Sequence, residues 1–252
     1  MSKRLVYGLR PVEEALSRGG KHPPYLLVAE GRLGGADGRR IQEVVKRAEG
    51  SGVTVQRCSR NLLDDLCGGQ NHQGILALVG DFPYLSLGEL LDGIQGPPLL
   101  LVVDSVTDPQ NLGAMFRSAL LFGAHGVILP KDRCADVNST VVRVSSGATE
   151  HLPVARVTNL SRAVDELKEA GIWVAATVES GGSSPAQADM RGPFAMVLGS
   201  EYRGVRPLVR KKCDLLLTIN SQGPIASLNV AAATAVLFYE AARQRGGGKK
   251  RG

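Results

Sequence analysis

The chain has 252 residues, 43% apolar and 21% charged, which suits a soluble globular protein with material for one large domain or two unequal ones and excludes a disordered or fibrous class. Its formal net charge of +6 is unevenly placed: residues 1–80 carry 12 Lys/Arg against 8 Asp/Glu, residues 81–243 carry 14 against 16, and residues 244–252 carry 4 against none. A basic excess at the two ends points to a polyanionic partner, although a solvated basic surface accounts for the charge equally well. The apolar run "LLLVV" at 99–103 is too short to span a membrane, and "MSKRLVYGLRPVEEAL" has no signal-peptide core, so a soluble cytoplasmic protein is expected.

In chain order, "VEEALSRG" (12–19) reads as a helix and "YLLVAE" (25–30) as a strand. "GRRIQEVVKRAEGSG" (38–52) reads as an amphipathic helix, with Ile41, Val44, Val45 and Ala48 at i, i+3, i+4 and i+7 and Arg39, Arg40, Glu43, Lys46 and Arg47 on its wet face. "VTVQRC" (53–58) and "GILALVG" (74–80) are further strands. Residues 1–80 thus form a small α/β domain, and the Pro- and Gly-punctuated residues 81–98 a linker. Over 99–245, apolar strands at 99–104, 126–129, 153–157, 172–178, 194–199 and 214–219 alternate with helices predicted over 109–122, 138–146, 159–170 and 206–212. That alternation predicts a mainly parallel sheet covered on both faces. A last helix lies within "SLNVAAATAVLFYEAARQR", and "GGGKKRG" (246–252) is a flexible basic tail.

Cys58, Cys67, Cys134 and Cys213 form no C-x-x-C pair and show no metal-ligand spacing with His22, His72, His125 or His151, so neither a zinc site nor a disulfide framework is indicated. In open parallel sheets, ligands bind at the carboxyl ends of strands, which singles out three loops. In "DSVTDPQNLGAMFR", Asp108 and Pro109 are an N-cap and first-turn pair, Leu112, Phe116, Ala119 and Leu120 are the expected buried face, and Arg117 lies opposite. In "LGSEYRGV", Gly199 and Gly204 have the spacing of a phosphate loop, but Val205 stands where a Lys is needed. No G-x-G-x-x-G follows a strand, which counts against NAD and against the common methyltransferase fold. In "INSQGPIASLN", Ser227 is placed to cap the final helix.

Together, "DPQNLGAMFRSALLFGAHGVILPKDR", "MVLGSEYRGV" and "IASLNVAAATAVLFYEAARQR" resemble the three motifs of the SpoU branch of the SPOUT RNA ribose 2′-O-methyltransferases, a likeness covering residues 99–245. "YGLRPVEEAL" and "NHQGILALV" resemble the small substrate-binding domain of the bacterial 23S ribosomal RNA guanosine 2′-O-methyltransferases. The resemblance implies a deep trefoil knot, S-adenosylmethionine held bent in its loops, and a homodimer paired through the helices around motif three. It also implies main-chain cofactor contacts from Gly199, Ile219 and Leu228, with Glu201, Ser227 and Asn229 around them, and a catalytic set of Arg117, Asn111, Glu201 and Asn229 with no metal. The family's arginine has been cast as a base. Holding a guanidinium deprotonated at neutral pH costs roughly 8 kcal/mol, so Arg117 is read instead as a phosphate anchor and stabiliser of the developing 2′-oxyanion, with Asn111 orienting Arg117 or the ribose.

The chain departs from the family pattern at Ser200, Asn220, Ser221 and Ala231. The implied substrate is a guanosine of 23S ribosomal RNA. Transfer RNA, another ribosomal nucleotide including a resistance site, or a catalytically inactive RNA-binding assembly factor are the alternatives. With aromatics at 4%, docking of RNA is expected to be electrostatic and led by shape.

Overall fold

A computed structural model describes residues 4–17, 25–31, 35–200, 203–221, 223 and 227–246. Glu201, His22 and the tail beyond Gly246 lie outside the described residues. In chain order the elements are β1 (Arg4–Tyr7), α1 (Leu9–Ser17), β2 (Tyr25–Ala29), α2 (Gly35–Gly50), β3 (Thr54–Cys58), α3 (Arg60–Leu66), β4 (Ile75–Val79) and α4 (Leu87–Asp92). They continue with β5 (Leu99–Asp104), α5 (Pro109–Leu121), β6 (Gly126–Pro130), α6 (Ser139–Val144), α7 (Ala148–His151), β7 (Val154–Val157) and α8 (Leu160–Glu169). The last are β8 (Trp173–Thr177), β9 (Phe194–Gly199), α9 (Pro207–Lys212), β10 (Leu215–Leu217) and α10 (Val230–Gln244). The chain divides into two compact units, one built from residues up to 82 with 137–150, the other from 83–136 and 151 onward. The division is therefore not contiguous in sequence: residues 137–150, read above as part of the C-terminal domain, cluster with the N-terminal unit.

The first unit holds a four-stranded sheet in the order β1-β4-β2-β3, antiparallel except for the parallel β2–β3 pair. Ile41, Val44, Val45 and Ala48 of α2 are buried as their spacing predicts, while Leu27, Ala29, Cys58, Leu63, Cys67 and Leu76 form a separate apolar cluster with Tyr7. The "NHQG" stretch works here as a clasp. His72 is buried, its Nε2 lies 3.0 Å from Asp64 Oδ1, and its Nδ1 accepts the Gly74 N–H at 3.0 Å. Gln73 Oε1 accepts the Leu9 N–H at 2.8 Å, tying the start of α1 to β4. The single helix predicted over 138–146 ends at Val144 and is followed by α7, because Ser146 and Gly147 take φ of 52° and 88°. A Cβ at Gly147 would meet Glu14 Cγ at 2.6 Å, so only glycine fits this break without displacing its neighbour.

The second unit is an α/β domain on a six-stranded, wholly parallel sheet in the order β10-β8-β9-β5-β6-β7. Every residue of β5 and β9 is buried, as central strands covered on both faces require. Leu100 and Val102 join Leu87 and Leu90 of α4, Leu160, Val164 and Leu167 of α8 and Val209 of α9 in one core layer. The pleat sends Leu99, Leu101 and Val103 to the other side, where α5 and α10 pack against each other. α4, inside the predicted linker, is started by local chemistry: Ser86 and Glu89 form a full capping box.

Candidate active site

β5 ends at Asp104, directly opposite Gly199 of β9. The Asp104 carboxylate is fully buried and accepts three hydrogen bonds, from the Arg206 N–H at 2.8 Å, from Arg206 Nε at 2.6 Å and from the Ser105 hydroxyl at 3.0 Å. One side chain thus fastens the segment that follows β9 to the strand that feeds motif one. Ser105 then turns the chain with a φ of 64°, and Asp108 starts α5 by accepting the Gln110 and Asn111 N–H groups at 3.0 and 3.4 Å. Leu112, Met115, Phe116 and Ala119 form the buried face; Leu120, expected among them, is half-buried because Met115 occupies the inward position. Asn111 is half-buried on the first turn, and Arg117 is exposed with no ion-pair partner among the described residues.

After β9, a Cβ on Gly199 would lie 2.0 Å from the Gly204 carbonyl carbon, so the backbone itself occupies the space of a side chain. The Gly204 N–H donates to Ser200 O at 2.8 Å, and Gly204 takes a φ of 60°. After β10 comes a correction. The cap of α10 is Asn229, whose Oδ1 accepts the Ala231 N–H at 2.8 Å, and not Ser227, because the helix begins two residues later than its sequence suggests. The other end of the same amide donates from Nδ2 to Asn111 Oδ1 at 2.9 Å, joining residues 118 positions apart.

Beside this bridge, Gly199, Ile219, Ser227 and Leu228 line one open cleft. Leu198, Leu217, Val230 and Ala233 give it apolar walls, and Ser200, Thr177 and Glu179 add polar groups. Leu228 is 48% exposed, an apolar side chain with an uncovered face towards a cleft. An apolar slot with hydroxyls and one carboxylate fits a ligand that combines a flat base, a sugar and a cationic centre. Thr177, Val178 and Glu179 carry no motif of their own, although the rule that singles out carboxyl-end loops extends to the one after β8. Burial pushes the thiols of Cys134 and Cys213 up to about 12, so neither is a thiolate nucleophile near neutral pH. Among the described residues, no three His, Cys, Asp or Glu side chains converge as a metal group would require.

Residues 98–239 match the SpoU rRNA methylase family, and residues 5–85 match the RNA 2′-O ribose methyltransferase substrate-binding domain. The 23S rRNA (guanosine-2′-O-)-methyltransferase RlmB of Ralstonia nicotianae is 47% identical over 208 residues, 82% of this chain and 84% of that protein. The protein of the same description from Escherichia coli is 39% identical over 243 residues, 96% of this chain and 98% of its own. Among solved structures, the SpoU methyltransferase AviRb from Streptomyces viridochromogenes, in complex with the cofactor AdoMet, superposes with a TM-score of 0.79 at 28% identity, covering 96% of this chain and 90% of that one. Fold and site thus define a class, the RNA ribose methyltransferases with a parallel-sheet catalytic domain. Within that class, the chain belongs to the SpoU rRNA methylase family.

Proposed function

We propose that this protein transfers a methyl group from S-adenosylmethionine to the 2′-hydroxyl of a guanosine in 23S ribosomal RNA, in the bacterial cytoplasm, with residues 1–80 gripping the RNA. The observation that carries the reading is the 2.9 Å hydrogen bond between Asn229 and Asn111, which brings the start of α10 onto the first turn of α5 beside the cleft. Gly199, Ile219, Leu228 and Ser227 would hold the cofactor, which supplies an electrophilic methyl group on a sulfonium. Asn111, its oxygen engaged by Asn229, would orient Arg117 or the incoming ribose. Arg117 supplies a fork of N–H donors for the target phosphate and for negative charge developing on the 2′-oxygen. Glu201 completes the catalytic set in the same reading. The trefoil knot and the pairing of two copies belong to this proposal as well. The pairing is supported by an exposed apolar face on α5 and α10.

The test is transfer of labelled methyl from S-adenosylmethionine to purified 23S ribosomal RNA, with ribose-methylated positions mapped. A single modified guanosine that disappears in Arg117→Ala, while cofactor affinity is unchanged, is the expected result. Transfer to transfer RNA alone would move the target, and Arg117→Lys with most of its activity intact would overturn the role of the guanidinium fork.

A further inference from the structure

Among the described residues that line the cleft, Glu179 is the only charged one. It is exposed, and its carboxylate makes no ion pair or hydrogen bond with another described residue. The backbone that carries it is nevertheless fixed on both sides. Leu217 of β10 is paired with Thr177 of β8 along one edge and with Ser183 along the other, so residues 178–182 arch over the carboxyl end of β10. The Val178 N–H donates to Leu217 O at 2.9 Å where the arch begins, and the Ser183 N–H donates to Leu216 O at 2.8 Å where it ends. The Gly182 N–H donates to Thr218 Oγ1 at 2.9 Å, and a Cβ on Gly182 would meet the Leu216 carbonyl at 2.8 Å. The fold thus tethers Glu179 at the cleft and makes no use of its carboxylate, which leaves the occupant of the cleft as its partner.

We propose that Glu179 binds the vicinal 2′,3′-diol of the cofactor's adenosine ribose, accepting a hydrogen bond from each hydroxyl. This rests on S-adenosylmethionine as the ligand of the cleft. Two arguments choose the sugar over the sulfonium. The first is position. β9 lies between β8 and β5, so the end of β8 stands two strand spacings, about 10 Å, from the end of β5 that leads to Asn111. Glu179 is therefore remote from the proposed reacting centre. Its neighbour Val178 is bonded instead to Leu217, part of the apolar wall that suits a flat base, and the ribose is the group joined to that base. The second argument is energetic. A carboxylate against the sulfonium would stabilise the charged reactant and lose that interaction as the positive charge disappears during transfer, which raises the barrier. A carboxylate on the diol binds reactant, transition state and product alike, and so holds the cofactor without opposing the chemistry.

The test is a double cycle read by calorimetry, in which wild type and Glu179→Ala are each titrated with S-adenosylhomocysteine and with its 2′,3′-dideoxy analogue. Glu179→Ala is expected to bind S-adenosylhomocysteine about tenfold more weakly, the level of hydrogen bonds to a charged acceptor, and removal of the two hydroxyls should weaken binding to the wild type by the same factor. With the hydroxyls gone, Glu179→Ala should cost nothing further, because both changes remove one interaction. S-adenosylmethionine should lose the same factor as S-adenosylhomocysteine in the variant. Equal weakening of S-adenosylhomocysteine and its dideoxy analogue by Glu179→Ala would move the carboxylate to the amino-acid end of the ligand, a loss confined to S-adenosylmethionine would move it to the sulfonium, and no loss would leave it solvated. Each of these overturns the diol contact while the methyltransferase reading stands. A wild-type protein that binds neither S-adenosylmethionine nor S-adenosylhomocysteine overturns the cofactor reading beneath it.

Discussion

At the scale of single residues, the pair formed by Asp104 and Arg206 is the most exacting arrangement around the site. The carboxylate is fully buried, whereas the Arg206 side chain is 34% exposed, so the two partners are not equivalent. Arg206→Ala leaves a buried charge with the Arg206 N–H and the Ser105 hydroxyl as its remaining donors, a change worth about 3 kcal/mol of stability. Asp104→Asn removes the charge and keeps an acceptor for the Arg206 N–H, so it should cost less. Denaturant unfolding of both variants checks the order, and equal losses would show that the carboxylate's charge is not what matters. Because Asp104 adjoins Gly199 and precedes α5, loosening it should also raise KM for the cofactor.

At the scale of elements, the C-terminal end of α10 is tied to the loops that precede β5 and β9 by Gln244 and its cap residue Arg245. Arg245 donates to the carbonyls of Met190, Pro97, Pro98 and Gly192, and Gln244 bonds Ala188 O and the Met190 N–H. Beside this clasp, His125 Nδ1 accepts the Leu99 N–H at 3.1 Å. Burial, and after it the Arg245 cation, hold the His125 imidazole below its ordinary value. The unfolded chain therefore binds a proton more readily than the folded one. Stability from this group is unaffected above about pH 7, and it falls as the pH drops below about 6.5 towards the lower folded value. Glu240, held at about 2 by Arg243 and then Gln244, also loses stability on acidification, but only below about pH 4.5. Melting temperature measured between pH 5 and 8 should decline on the acid side and flatten in His125→Asn; an unchanged slope in that variant would remove His125 as the cause.

Elements of this kind differ in how far a sequence discloses them. α5 is legible because Asp108, Pro109 and an i, i+3, i+4 apolar series stand within one stretch. α2 is legible for the same reason of period. β1 is not, since its four residues gain their meaning only from pairing with β4 some seventy positions away. α4 is hidden by the prolines and glycines around its capping box. At the candidate site, the loops follow from the parallel alternation, but the roles proposed for Asn111 and Asn229 rest on family likeness, because no local pattern reveals a hydrogen bond across 118 residues. Thr177, Val178 and Glu179 carry no distinguishing residue type, and it is the sheet order alone that brings β8 next to β9 and β10.

At the scale of the whole molecule, the two helices that bear the proposed site residues also carry an uncovered apolar face. Leu121 is 74% exposed and Tyr239 57%, and Phe122 meets the Tyr239 ring edge-on with centroids 5.7 Å apart. Val236, one turn before Tyr239 on α10, is also exposed. A large apolar surface of this sort in a monomer is costly, and a second copy of the same chain is the partner the proposed function implies. The face lies on the same two helices as the proposed site, since α5 carries Asn111 and Arg117 and Asn229 caps α10. Sedimentation equilibrium should therefore show a dimer at micromolar concentration. Leu121→Glu/Tyr239→Glu should shift it to monomer, since a carboxylate desolvated in an apolar interface has no counterion there. If ordering of α5 and α10 depends on pairing, the monomeric variant will retain its fold by circular dichroism and yet lose turnover by more than tenfold, the level at which misplacement of the reacting groups by about 1 Å is felt. A wild-type protein that sediments as a monomer, or a monomeric variant with full activity, would separate the apolar face from catalysis and leave Asn111 and Asn229 to be held by the single chain.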